Sequence, residues 1–278
     1  MITKKKTWLK MLSLVLLLPL LLVFTACGDV NAQLNTKATC NTTGEYNQEA
    51  TRDELNGSIG QQTTINNGGY RMTIEATGSA MGEEISSTIN AIVKGDEATL
   101  KMTAKDPQTG KNVDGYVYVT DGYIYTNAEG QKVRMEGSLN TFFNTEGFAE
   151  MPGLMDSITD INGILNMMSS SDVEISVDGN NYKIEFNTIA GMEVPSLAEM
   201  GVNLSDLLKD MVAYLNFDDN GNLVAMNFSF GMEMGEFFNI TINVTMSAFD
   251  GEIQFPSFNG YTEMAPEEEQ IPDIDVIE

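Results

Sequence analysis

Histidine is missing from all 278 residues, tryptophan occurs once, cysteine occurs twice, and only 15 basic residues face 40 acidic ones. Each shortage closes off chemistry. Without histidine the chain lacks the side chain that titrates nearest neutrality, the base of Ser-His-Asp and Cys-His arrangements, and the usual zinc ligand. Carboxylate-pair catalysis and oxygen coordination of hard cations survive that filter. No carboxylate pair is singled out by its spacing, so no catalytic residue is assigned, and nothing points to a cofactor or a bound metal. A face for nucleic acid needs clustered Lys and Arg, which this composition does not supply. Two cysteines cannot build a disulfide framework, so the fold must rest on its core.

What is present begins with an export pattern. Lys4, Lys5, Lys6 and Lys10 form a charged region, and an apolar run from Met11 to Phe24 follows. Pro19 breaks that run, which falls short of the roughly 20 residues a spanning helix needs. Thr25-Ala26-Cys27-Gly28 then sets small residues before a thiol, and this resembles the lipobox of bacterial lipoproteins. The resemblance implies cleavage before Cys27, a diacylglycerol on its sulfur and a protein held to a membrane on the extracytoplasmic side. Two acyl chains suffice for stable anchoring where one binds only reversibly. Loss of residues 1–26 removes four lysines and no acid, leaving 11 basic residues against 40 acids, a charge of −29. Such charge keeps a tethered domain soluble and away from anionic headgroups.

With Cys27 lipidated, Cys40 has no partner in the chain. It reads as an inert thiol in a tether or, more sharply, as the site of an intermolecular disulfide. Residues 27–69 are rich in Asn, Thr, Gln and Gly and show no periodicity, the composition of a flexible polar tether. A short helix is expected within it around Glu49 to Leu55. Residues 259–278 carry Pro266, Pro272 and many acids and read as a disordered tail. Between these lies one domain, residues 70–258.

That domain alternates apolar and polar residues with period 2, the mark of strands. Met72, Ile74 and Ala76 share a face, and strands follow at Ile85 to Val93, Glu97 to Ala104 and Gln131 to Met135. Tyr116, Tyr118, Tyr123 and Tyr125 flank Asp121-Gly122, a type I′ hairpin signal. A second hairpin turns at Asp178-Gly179-Asn180, between Val173-Ile175-Val177 and Tyr182-Ile184-Phe186. The last strands are expected from about Val212 to Phe217, Leu223 to Met234 and Phe237 to Phe249. Two helices interrupt them. Pro152 suits a first helical position, and Met151, Leu154, Met155, Ile158, Ile161, Leu165 and Met168 recur at spacings of three and four. A loose aromatic segment, Phe142, Phe143 and Phe148, precedes this helix. The second helix is expected between Pro195 and Met211, with Leu204, Leu207 and Leu208 among its inward residues. Strands joined by hairpins, with two helical connections, predict the α+β class and an antiparallel sheet.

Three patterns together are similar to the extracytoplasmic lipoproteins of the LolA/LppX type, particularly their Gram-positive relatives: the lipobox with its polar tether, Tyr116 to Tyr125 followed by Gln131 to Met135, and Phe217 to Met226. The resemblance implies a strongly curved antiparallel sheet, a half-barrel, with helices across its concave face over an apolar cavity. It assigns residues 152–168 and 195–211 to the lid. The cavity lining would then be Phe142, Phe143, Phe148, Met151, Leu154, Met155, Ile158, Ile161, Leu165, Met168, Leu204, Leu207 and Leu208. The implied ligand is a lipid or a lipidated, amphipathic cargo, and methionine suits variable apolar partners. A single basic residue, Lys209, falls within the expected lid, which speaks against an anionic headgroup.

Other readings stand beside this one. The same fold with a closed core would make a surface module that contacts an envelope protein or a cell-wall polymer. An acid-dependent glycosidase would need two carboxylates facing across a cleft. The four tyrosines could line a sugar- or peptide-binding strip or simply pair across their hairpin. Asp218-Asp-Asn-Gly-Asn222 resembles the start of a calcium loop but lacks the closing Glu, because residue 229 is Ser; a hairpin turn explains it with fewer assumptions.

Overall fold

The computed structural model describes residues 32–58, 68–80, 82–106, 109–128, 130–139, 141, 166–169, 171–188, 208–234 and 238–264. Two meanders supply most of the strands. The first contains β2 (Tyr70–Ala80), β3 (Glu83–Lys94), β4 (Glu97–Lys105), β5 (Asn112–Thr120), β6 (Tyr123–Ala128) and β7 (Gln131–Glu136). The second contains β8 (Val173–Asp178), β9 (Asn181–Phe186), β10 (Leu208–Phe217), β11 (Leu223–Met234) and β12 (Phe238–Ala248). Antiparallel pairing of β12 with β2, from Phe238 opposite Ala80 to Ala248 opposite Tyr70, joins them into one sheet. Two short strands, β1 (Gln48–Glu49) on β8 and β13 (Thr262–Glu263) on β7, occupy its edges. Thirteen strands therefore run in an open order, antiparallel except where β13 meets β7.

The turns explain the hairpins locally. Asp121 and Gly122 both take positive φ, 53° and 78°, as a type I′ turn requires, and Gly179 does so at 60°. At residues 218–222 the Asp218 carboxylate accepts from the backbone N–H of Asn220 and Asn222 and from the Asn222 amide, closing the β10–β11 connection.

Strand registers sort the side chains into two unlike faces. On the inner face Met72, Leu100, Val117, Ile184, Phe228 and Met246 belong to one continuous apolar cluster. The outer face presents Thr73, Asn90, Thr99, Asn216 and Asn227, all nearly withdrawn from solvent.

Residues 32–46 of the expected tether lie against that outer face. A 3-10 turn at Ala32–Asn35 buries Leu34 completely beside Tyr116 and Tyr118. Arg71 donates to the carbonyls of Gln33 and Thr36 and clamps the segment to β2. Ala38 N–H donates to Thr73 Oγ1 at 2.9 Å, and Asn41 N–H donates to Asn216 Oδ1 at 2.6 Å. The strand β1 carries the chain round the sheet edge. Helix α1 (Arg52–Ser58) then packs Leu55, fully buried, into the inner cluster. A strap held to the strands through individual side chains needs no repeating apolar pattern, and composition alone reads it as a tether.

Two further expectations change. Leu208 and Met211, expected at the end of a helix, are in β10, where register shifts between Lys209 and Val212 and Asp210 takes φ 49°. A bulge spoils period 2 there and leaves a spacing that mimics a helix. The domain also continues past residue 258, because Phe258 and Tyr261 dock on the Tyr118–Tyr125 cluster and lead into β13. Of the expected lid, residues 166–169 are helical, with Met167 and Met168 in the inner cluster. The remainder of both expected helices lies outside the described residues.

Candidate functional site

Alternation puts every second residue of eleven strands on the inner face, and nearly all of these are apolar. Phe186, Phe228 and Phe230 form tilted and edge-to-face contacts at its centre, with ring centroids 6.3 and 5.8 Å apart. Around them gather Met72, Met135, Met167, Met168, Met211, Met226, Met232 and Met246. Among the described residues, eight of the chain's 18 methionines thus share one surface. Unbranched thioethers repack around irregular partners at low cost, so this face can conform to more than one apolar shape. Tyr182 adds a polar atom at the margin, its hydroxyl 2.6 Å from Ser58 Oγ of α1.

Of the residues expected to line a cavity, Met168 and Leu208 both lie buried in this cluster. Phe142, Phe143, Phe148, Met151, Leu154, Met155, Ile158, Ile161, Leu165, Leu204 and Leu207 lie outside the described residues, as does Cys27. Missing from the sequence reading were Phe228, Phe230 and Met226. Their alternation with Asn227 and Ser229 along β11 marks the apolar side of that strand, but not the strands and helices it would meet.

The outer face offers two open grooves of about 520 and 470 Å³, one on each side of residues 38–42. Their walls carry Cys40, Asn216, Ser247, Asn227 and Thr245. Cys40 Sγ lies 3.1 Å from Asn216 Oδ1, and burial pushes its pKa up to about 12. A protonated thiol is a poor nucleophile and a poor metal ligand. Among the described residues no group of three or more Cys, Asp or Glu side chains converges to hold a metal ion. The carboxylates whose pKa is displaced move down: Glu54 and Glu84 through hydrogen bonds from Thr51 and Lys105, and Asp218 through those of its own turn. Each stays ionised near neutrality and serves a cap, an ion pair and a hairpin.

The tyrosine strip is occupied by the protein itself. Tyr118 and Tyr125 sit opposite each other across the hairpin, and Phe258 covers both. The sugar- or peptide-binding reading therefore loses its open surface at these two residues.

No family model and no curated protein matches the chain. Among solved structures, LprF from Mycobacterium bovis is similar at 14% identity and a TM-score of 0.39, over 76% of this chain and 98% of that one. Rv2717c from M. tuberculosis follows at 9% identity and 0.25, over 73% and 99%. The ywiB protein from Bacillus subtilis is similar at 10% and 0.16, over 70% and 98%. Of the patterns that resemble the LolA/LppX type, Tyr116 to Met135 falls in β5 to β7 and Phe217 to Met226 spans the β10–β11 turn, while the lipobox lies outside the described residues.

Proposed function

We propose that this is a lipid-anchored, extracytoplasmic binding protein whose inner sheet face, curved as a half-barrel, takes an apolar or amphipathic ligand such as a lipid or a lipidated cargo. One observation carries the reading: a single apolar surface crosses the sheet and concentrates eight methionines, a lining suited to a partner of variable shape. Support also comes from the Thr25-Ala26-Cys27 lipobox and from the resemblance of the strand patterns to LolA/LppX-type lipoproteins. Anchoring through Cys27 would keep the site at the membrane that supplies its ligand. The reaction class is binding, because the chain lacks histidine and its displaced carboxylates serve structural bonds.

Native mass spectrometry of the protein purified from its own membrane tests this directly. The expected result is a bound lipid in excess of the covalent anchor; protein that carries the anchor and nothing else would sink the reading.

A second reading rests on a specific observation. Ile184 and Leu215 are fully buried and Phe228 is 1% exposed, as in a closed core. On that reading the domain is an interaction module for an envelope partner. Crosslinking at the cell surface followed by pulldown separates the two, since a carrier enriches lipid and a module enriches one protein.

A further inference from the structure

The docked strap changes how far the domain can stand from its membrane. A flexible segment from Cys27 to residue 69 would let the domain roam well clear of the bilayer. Instead the chain is fixed to the sheet from Ala32 onward: Leu34 is buried, Arg71 clamps the carbonyls of Gln33 and Thr36, and Lys101 Nζ donates to Asn35 Oδ1. The other chain end ties down the same place, where Gln33 Nε2 donates to the Glu252 carbonyl at 2.9 Å and Gln254 N–H donates to Gln33 Oε1 at 3.0 Å. Five residue steps separate Cys27 from Ala32. Fully extended, they span at most about 17 Å.

Charge on the outer face is arranged to match. Outward positions of β2 to β7 carry Arg71, Lys94, Lys101, Lys105, Lys132 and Arg134 against Glu75, Glu84, Glu97, Asp114 and Glu136. Those of β8 to β12 carry Lys183 and Lys209 against Glu174, Asp178, Glu185 and Glu233. In a mature chain with 40 acids and 11 basic residues, the half of the sheet where the leash ends is close to neutral. Anionic headgroups repel it least.

We propose that the outer face of β2 to β5, around the docked 32–37 segment, is the membrane-facing surface of the protein, held by its lipid within about 17 Å of the headgroups. This rests on the lipidation of Cys27 proposed above. The β8–β9 end of the sheet then points away. It is seven strand spacings from β4 in the sheet order, roughly 34 Å along the surface.

The test uses full-length lipoprotein carrying Cys40→Ser, purified from its membrane and reconstituted in phosphatidylcholine–phosphatidylglycerol vesicles. One environment-sensitive fluorophore is attached at Thr36→Cys or at Asn180→Cys, both exposed positions. A short-range quencher is carried on the lipid headgroups. The expected result is several-fold stronger quenching at residue 36 than at residue 180. A roughly 20-residue Gly-Ser insertion after Gly28 should abolish that difference without altering the fold, because it frees the domain from the surface. Equal quenching at the two sites in lipidated protein overturns this inference alone. A mass lacking diacylglycerol on Cys27 overturns the anchoring reading and this one with it.

Discussion

Phe258 lies flat on Tyr125, ring centroids 3.9 Å apart and planes 16° from parallel. Tyr261 meets the same tyrosine edge-on at 5.3 Å, so residues from the far end of the chain close the outer face of the β5–β6 hairpin. Phe258 is half-buried, and offset stacking adds about 1 kcal/mol beyond the area it covers. Phe258→Ala should therefore cost about 2 kcal/mol in denaturant unfolding and should expose Tyr118 and Tyr125 to solvent quenchers of tyrosine fluorescence. Unchanged stability would mean that the C-terminal segment is not held there.

Gly78 supports the seam between the two meanders. It pairs with Ile240 of β12 at φ +152°, and a Cβ there would sit 2.1 Å from the Asn239 carbonyl oxygen. No side chain can enter without parting β2 from β12. Gly78→Ala is expected to destabilise by about 3 kcal/mol, seen as a lowered midpoint of thermal unfolding. Gly82→Ala, also at positive φ but with open space around its Cβ, should cost clearly less.

Helix α1 is held by a reciprocal cap. Glu54 N–H donates to Thr51 Oγ1, while Thr51 N–H donates to Glu54 Oε2 at 2.7 Å. Thr51→Ala should cost about 1 kcal/mol, and Leu55→Ala, which empties a fully buried site in the inner cluster, about 3 kcal/mol. The Glu54 carboxyl is held below its ordinary value by the Thr51 N–H and by the Thr51 hydroxyl, which donates to Oε2 at 2.8 Å. Its contribution is present above the unfolded pKa and is lost as pH falls through the lowered folded one, so the Thr51→Ala penalty should shrink in acid. A penalty that stays constant with pH would remove the hydroxyl–carboxylate bond as part of its cause.

Cys40 should be almost inert in the folded protein. With its pKa near 12 and the unfolded value near 9.0, far less thiolate forms at pH 8 in the native state. Labelling by a maleimide or by Ellman's reagent should be at least about a hundredfold slower than in denaturant. The raised pKa also has a stability consequence. Below pH 9 its contribution is complete; between about 9 and 12 the unfolded thiol ionises first, and stability falls as pH rises. Cys40→Ala should flatten part of that alkaline slope. A disulfide-linked dimer on a non-reducing gel would contradict the inert thiol.

Legibility in the sequence followed the range of the interactions. The β5–β6 and β8–β9 hairpins could be read because Asp121-Gly122 and Asp178-Gly179 lie between their own partner strands, and alternation marks each strand within a few residues. The edges of β10 were obscured by a bulge at Lys209 to Val212 that shifts the period. The cap at Thr51 and Glu54 carried a readable spacing, yet its setting in a polar segment hid its importance.

By itself the sequence determined the local events: where strands form, where two-residue turns reverse them, which faces are apolar, and which chemistries the missing histidine forbids. Those depend on neighbours within a few residues. Only the tertiary structure decided that β12 pairs with β2, that residues 32–46 strap the outer face, and that Phe258 seals the tyrosines. Each brings together segments far apart in the chain, through single residues such as Leu34, Arg71 and Asn216. Such contacts exist only once the sheet has formed a surface to receive them, so no periodicity announces them in advance.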